Sequence, residues 1–164
     1  MGQGLLVWYA CQKRDAGMSL EEVYNWVEDH KQNLCHWFTV DDLVYLKRGG
    51  RVSSIAAFAG GLLGIKPVLH VDNEGHLVSR LKVRGRKEAL KALVDKMGEL
   101  AKDPAEGPVY ICHAKCENDV EFVKELIKGR FGTEVELVVD IGPVIGAHTG
   151  CGTLGLFFVG DTEK

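Results

Sequence analysis

Hydrophobic positions recur with a helical period near the start of the chain. Val23, Trp26, Val27, His30 and Leu34 fall at i, i+3, i+4, i+7 and i+11, one stripe of an amphipathic helix. Before them Gly17 and the capping box Ser19-x-x-Glu22 end one helix and start the next, and Leu5–Cys11 is apolar on nearly every side. The pattern predicts an α-hairpin over 3–16 and 19–35. The period then changes to two. Lys66–Val71 and Leu77–Arg84 flank the turn Asp72-Asn73-Glu74-Gly75, which predicts a β-hairpin with a four-residue loop. Strict alternation in its second strand would place Leu77, Ser79, Leu81 and Val83 on one side and Val78, Arg80, Lys82 and Arg84 on the other. Helices are predicted at Asp41–Lys47, Ala89–Leu100 and around Val120, Val123 and Ile127. Ser53 caps a further run, Ile55–Gly64, whose small apolar side chains suit a buried or site-lining helix. Strands are predicted at 36–40, 66–71, 77–84, 108–113, 134–141 and 153–159. The expected fold class is α+β: a two-layer domain with a mixed or antiparallel sheet of about six strands, helices mainly on one face, and the α-hairpin in front.

Composition narrows the functional classes. Twenty glycines against four prolines point to tight turns and close backbone approaches. A net charge of −3 and a pI near 6.1 lack the electrostatic footprint of a general nucleic-acid binder. Residues 41–100 nevertheless carry 11 basic and 7 acidic groups, a basic island of +4. Five cysteines without framework spacing, and no secretion-signal pattern, predict reduced thiols in a cytoplasmic protein. No apolar run approaches the ~18–20 residues of a membrane span.

Three segments could carry chemistry. Gly146-Ala-His-Thr-Gly-Cys-Gly152 presents His148 and Thr149 between glycines, either as a site or as a hairpin turn with a surface histidine. It matches neither GxGxxG nor GxxxxGK[ST], so no standard nucleotide loop is expected. Lys47-Arg-Gly-Gly-Arg-Val-Ser53 could hold an anion through Arg51 and the start of the following helix, or be a solvated loop. Cys112-His-x-x-Cys116 is an incomplete zinc ligand set, and no metal is expected. Arg80, Lys82 and Arg84 form a basic strand face suited to a docking partner, to a transient contact with an anionic membrane surface, or simply to solvent.

Taken together, the runs Phe38-Thr-Val-Asp-Asp-Leu-Val-Tyr-Leu-Lys-Arg-Gly-Gly-Arg-Val-Ser53, Gly64-Ile-Lys-Pro-Val-Leu-His-Val71, Lys82-Val-Arg-Gly-Arg86 and Gly142-Pro-Val-Ile-Gly-Ala-His-Thr-Gly150 resemble the DegV-like fatty-acid-binding family in the family's order. The resemblance covers essentially the whole chain but only the latter part of the family's pattern. It implies that residues 1–35 are the last helices of a front α/β domain, that the sequence is truncated, and that residues 36–164 form the C-terminal lipid-binding domain. It also implies a long-chain fatty acid as ligand, presented to a separate ATP-dependent fatty-acid kinase subunit, with no other cofactor and no catalytic residue in this chain. The implied ligand-side residues are His148, Thr149, Arg51, Ser53, Phe58, Leu62 and Ile65, and the basic strand face of Arg80, Lys82 and Arg84 is the expected docking surface for that kinase subunit or for an anionic membrane. Cys151 stands where the family often has proline. The competing readings are a hydrolase or small-molecule kinase using His148 as base or nucleophile, and a plain interaction module. Loss of the sheet that the α-hairpin would cover is expected to expose Leu5, Trp8, Val23 and Trp26 and to drive self-association.

Overall fold

The computed structural model describes residues 1–51 and 64–161. Within them run helices α1 (Gly2–Asp15) and α2 (Leu20–His30), strand β1 (Leu34–Thr39), helix α3 (Val44–Arg48), and strands β2 (Ile65–Val71) and β3 (Leu77–Arg84). Helix α4 (Arg86–Leu100), strand β4 (Val109–His113), helix α5 (Glu117–Phe131), strand β5 (Val135–Asp140), helix α6 (Pro143–Thr149) and strand β6 (Leu154–Val159) follow. The six strands form one sheet in the order β3-β2-β1-β6-β4-β5. Only the β4–β5 pair is parallel, because α5 carries the chain back across the sheet between them. The fold is therefore α+β with a mixed sheet.

The pleat sorts side chains to two faces. Trp37 on β1, Ile111 on β4, and Leu154, Leu156 and Phe158 on β6 pack against Leu90, Leu93 and Met97 of α4 and Val120, Val123 and Ile127 of α5. That layer is the main core. On the opposite face α1 sets Leu5 against Leu34 and Tyr110, and α3 sets Leu46 against Val40 and Leu69. Between these two small clusters the second face of β1, β6 and β4 is left for a cleft. Replacing the fully buried Leu5 by alanine removes contacts that tie the α-hairpin to the sheet, a loss of about 2–5 kcal/mol.

Four local expectations change. The helix expected over 19–35 ends at His30, whose Nδ1 donates to Trp26 O at 2.7 Å; a 3-10 turn, Lys31–Asn33, follows. Leu34 then leaves the stripe because it pairs with Val159 as the first rung of the β1–β6 ladder. The β2–β3 register shifts between Val68 and Leu69, so that Leu69 pairs with Ser79 and Val68 with Leu81. Arg80 is the extra residue of this bulge, and strict alternation fails there. Lys82 and Arg84 thereby share a face with Leu77, while Leu81 and Val83 share the other with Val78. The Gly142–Gly152 stretch is no open turn, since Pro143 starts a short helix at the position where its missing N–H has no helical partner to lose. Of the apolar patch expected on the α-hairpin, Leu5 is buried, and Trp26 stacks on His30 at 4.3 Å with Lys13 over its ring. The large hydrophobic residues that the hairpin does expose are Val7 (54%), Leu20 (89%) and Tyr24 (62%).

Candidate functional site

The cleft on the second face has a volume of about 420 Å³, in the range of small-molecule sites. Its floor is built from alternate residues of three neighbouring strands. His36 stands opposite Phe157, and Phe38 and Cys112 both stand opposite Gly155. The His36 and Phe157 rings are 5.6 Å apart. Val71 and Leu77 close one end; α6 and Thr153 close the other, with Val144, Ile145, His148 and Thr149 on the helix face that meets the cleft. The strands supply almost only apolar surface, so the polar groups gather at the α6 end and at Arg51.

Glycines let the pieces of that end approach each other. A Cβ on Gly49 would lie 2.3 Å from His148 Nδ1, so the α3 terminus can pack on the imidazole only without a side chain. Gly150 has φ +78, a backbone angle that strains other residues, and a Cβ there would lie 2.4 Å from the Tyr45 ring. The Thr149 hydroxyl donates to Ile145 O at 3.0 Å and is thereby committed to its own helix. Arg51 Nη1 donates to Gly49 O at 2.6 Å, which uses one of five guanidinium donors. An anion in the cleft could take hydrogen bonds from His148 and from the rest of the Arg51 fork, both of which line it.

Burial shapes the floor. It raises the Cys112 thiol above its ordinary pKa, so the sulfur stays protonated. It also lowers His36 to about 4, helped by the nearby amino terminus and by His70, so that ring is neutral at pH 7. His36 Nε2 is buried against Gly2 of α1, whose Cβ would be 2.0 Å away. The acid nearest in sequence to the glycine block, Asp140, lies 3.8 Å from His113 Nε2. Among the described residues that line the cleft there is no carboxylate beside His148, as a general base of a hydrolase would need for orientation. Among the described residues no group of three or more His, Cys, Asp or Glu gathers to hold a metal ion, and no helix is long and apolar enough to cross a membrane.

The structure thus brings His148, Thr149 and Arg51 to one cleft. It does not bring Ile65 there: that residue pairs with Arg84 at the end of β2 away from Val71, about 20 Å along the strand at 3.3 Å per residue. Ser53, Phe58 and Leu62 lie outside the described residues. Arg80, Lys82 and Arg84 are exposed along edge strand β3. His36, Phe38, Cys112 and Phe157 were missed as lining residues. The signal available for them was the alternation of β1 and β6, but both faces of these strands are apolar.

The family model described as "Uncharacterised protein, DegV family" matches residues 1–161. A DegV domain-containing protein of Clostridium perfringens is 48% identical over 164 residues, covering 100% of this chain and 56% of its own length. The chain thus spans about half the length of the curated relatives it matches. The crystal structure of a fatty acid binding DegV family protein from Streptococcus agalactiae superposes with a TM-score of 0.83 at 32% identity, covering 98% of this chain and 56% of that one. DegV of Bacillus subtilis, described as a fatty acid binding protein, gives 0.78 at 33% identity, covering 98% and 57%.

Proposed function

This chain belongs to the DegV family, and we propose that its cleft holds the alkyl chain of a long-chain fatty acid with the carboxylate toward His148 and Arg51. The observation that carries the reading is one cleft with an apolar floor of Phe38, Cys112 and Phe157 whose lining also includes the hydrogen-bond donors His148 and Arg51. A carboxylate leaving water needs such donors, and an alkyl chain needs none. Fatty-acid-binding relatives of the same fold support it.

The role is binding and not catalysis. A separate ATP-dependent fatty-acid kinase subunit would phosphorylate the presented acid, docking on the basic edge of Arg80, Lys82 and Arg84. The neutral His36 and the protonated Cys112 fit this role, because neither is poised as a nucleophile or base at pH 7. The reading places the protein in the cytoplasm, beside the kinase, with transient contact to an anionic membrane surface. It takes residues 1–35 as helices of a front domain and 36–164 as the lipid-binding domain. It also includes self-association through the exposed face of the α-hairpin.

Native mass spectrometry of the purified protein should show a co-purifying long-chain acid, and the delipidated protein should bind a fluorescent fatty acid saturably. Gly155→Leu should abolish that binding, because a Cβ there already lies 3.0 Å from the Phe157 ring and 3.2 Å from Cys112 Sγ. Undiminished binding by a folded Gly155→Leu protein would overturn the cleft as the site.

A further inference from the structure

The turn that joins α6 to β6 is held from outside the cleft by a largely buried cation. Arg86 is the first residue of α4, and its side chain is 19% exposed. Its Nε donates to Asp119 Oδ2 of α5 at 2.9 Å, and Nη2 lies 2.9 Å from the same oxygen in an ion pair. Nη2 also donates to Gly152 O at 2.5 Å. The far side of the same turn is tied to the β4–α5 connection, where Gly152 N donates to Ala114 O at 2.7 Å and Ala114 N to Thr153 O at 2.9 Å. Thr153 Oγ1 in turn donates to Gly150 O at 2.8 Å and to Thr149 O at 3.0 Å. A short chain of hydrogen bonds therefore runs from the guanidinium to the last residues of α6.

Stability alone is a poor account of this cation. Arg86 Nη1 is buried and meets no acceptor among the described residues, and a buried donor left over is a cost that an apolar side chain would avoid. The fork does achieve one thing that lysine could not, which is to hold a carboxylate and a backbone carbonyl at a fixed mutual angle. That carbonyl belongs to the turn immediately after His148 and Thr149. We propose that Arg86 is a positioning residue for the acid end of the cleft: anchored by Asp119, it fixes the Gly152 carbonyl and so the placement of the His148 imidazole that receives a carboxylate. The inference rests on the fatty-acid reading above.

The test compares a long-chain fatty acid with the alcohol of the same length, which keeps the tail and removes the carboxylate. The ratio of the two dissociation constants reads the acid end alone. Arg86→Gln should reduce the wild-type preference for the acid by about threefold or more while changing the alcohol's affinity by less than about twofold. Arg86→Lys should fall between wild type and Arg86→Gln. In a His148→Ala background Arg86→Gln should have no further effect on the ratio, because it acts through that ring. The ratio is measured on folded protein, checked by circular dichroism, and Asp119→Asn gives a second variant that loosens the anchor while leaving Arg86 in place; it should lower the ratio too. An unchanged ratio in Arg86→Gln, an equal loss for acid and alcohol, or an undiminished effect without His148 would overturn the proposal. A wild-type protein that binds the alcohol as tightly as the acid would instead overturn the placement of the carboxylate on which it rests.

Discussion

At the scale of single residues, His36 couples the cleft to pH. Burial, the amino terminus and His70 hold it near 4 in the folded chain, against an ordinary value of 6.5. Between those values the unfolded chain binds a proton that the folded chain does not, so stability is full above about pH 6.5 and falls as pH drops through the window. The term amounts to at most about 3 kcal/mol. The carboxyls of Glu22 and Asp72, held low by hydrogen bonds, also lose their contribution in acid, but in wild type and variant alike. Urea unfolding of wild type and His36→Gln at neutral pH and near pH 4.5 should therefore show the steeper loss in wild type, and parallel losses would refute the assignment. Gly49 offers a second test. Its φ of −77 suits alanine, so Gly49→Ala should leave the unfolding midpoint unchanged or raised, yet its Cβ must push the His148 ring aside. Fatty-acid affinity should fall by about ten- to a hundredfold, the worth of one lost hydrogen bond to a charged group, and an unaltered affinity would take His148 out of the site. His148 and Arg51 were legible in the sequence because polar residues among glycines stand out. Cys112 and Phe157 were not, since only the register of β1, β4 and β6 decides which side of an all-apolar strand faces the cleft.

At the scale of elements, strong periodicity was readable and single-residue geometry was not. The strands expected at 66–71 and 77–84 appear as Ile65–Val71 and Leu77–Arg84, and the capping box at Ser19 forms with both of its hydrogen bonds. Helix α6 escaped notice because Gly142, Gly146 and Gly150 weaken any local helical preference; its contact with α3 is a tertiary effect. The bulge at Arg80 escaped because nothing in an alternating sequence marks one inserted residue. That bulge matters to the docking proposal: Lys82 and Arg84 now lie on the same face of the sheet as the cleft. Reversing both charges should slow phosphorylation of the bound acid by a fatty-acid kinase subunit, most strongly at low salt, and leave lipid content unchanged. Equal rates at low ionic strength would exclude this edge as the docking surface.

At the scale of the whole molecule, the α-hairpin is fastened to the sheet through Leu5 and leaves its outer side to water. Self-association, proposed above, would use a different set of side chains from the one first expected. Of the side chains first expected to drive it, Leu5 is buried and Trp26 is covered by Lys13 and His30, while Val23 joins Ala10 and Met18 in a shallow apolar groove beside the exposed Val7, Leu20 and Tyr24. Two antiparallel hairpins related by a twofold axis could each set Leu20 into the other's groove, the self-complementary arrangement a symmetric dimer requires. Leu20 is the discriminating position because, at 89% exposure, it contributes little to the monomer. Glutamate there would also sit in the first turn of α2, where negative charge is favoured by the helix dipole. Leu20→Glu should therefore keep or raise the unfolding midpoint of the monomer while abolishing association. Sedimentation velocity of wild type should show a dimer at tens of micromolar, roughly the range of moderate affinity, and Leu20→Glu should sediment as a monomer at the same concentration. A wild-type monomer under those conditions, or a dimer untouched by Leu20→Glu, would rule out this face as the contact.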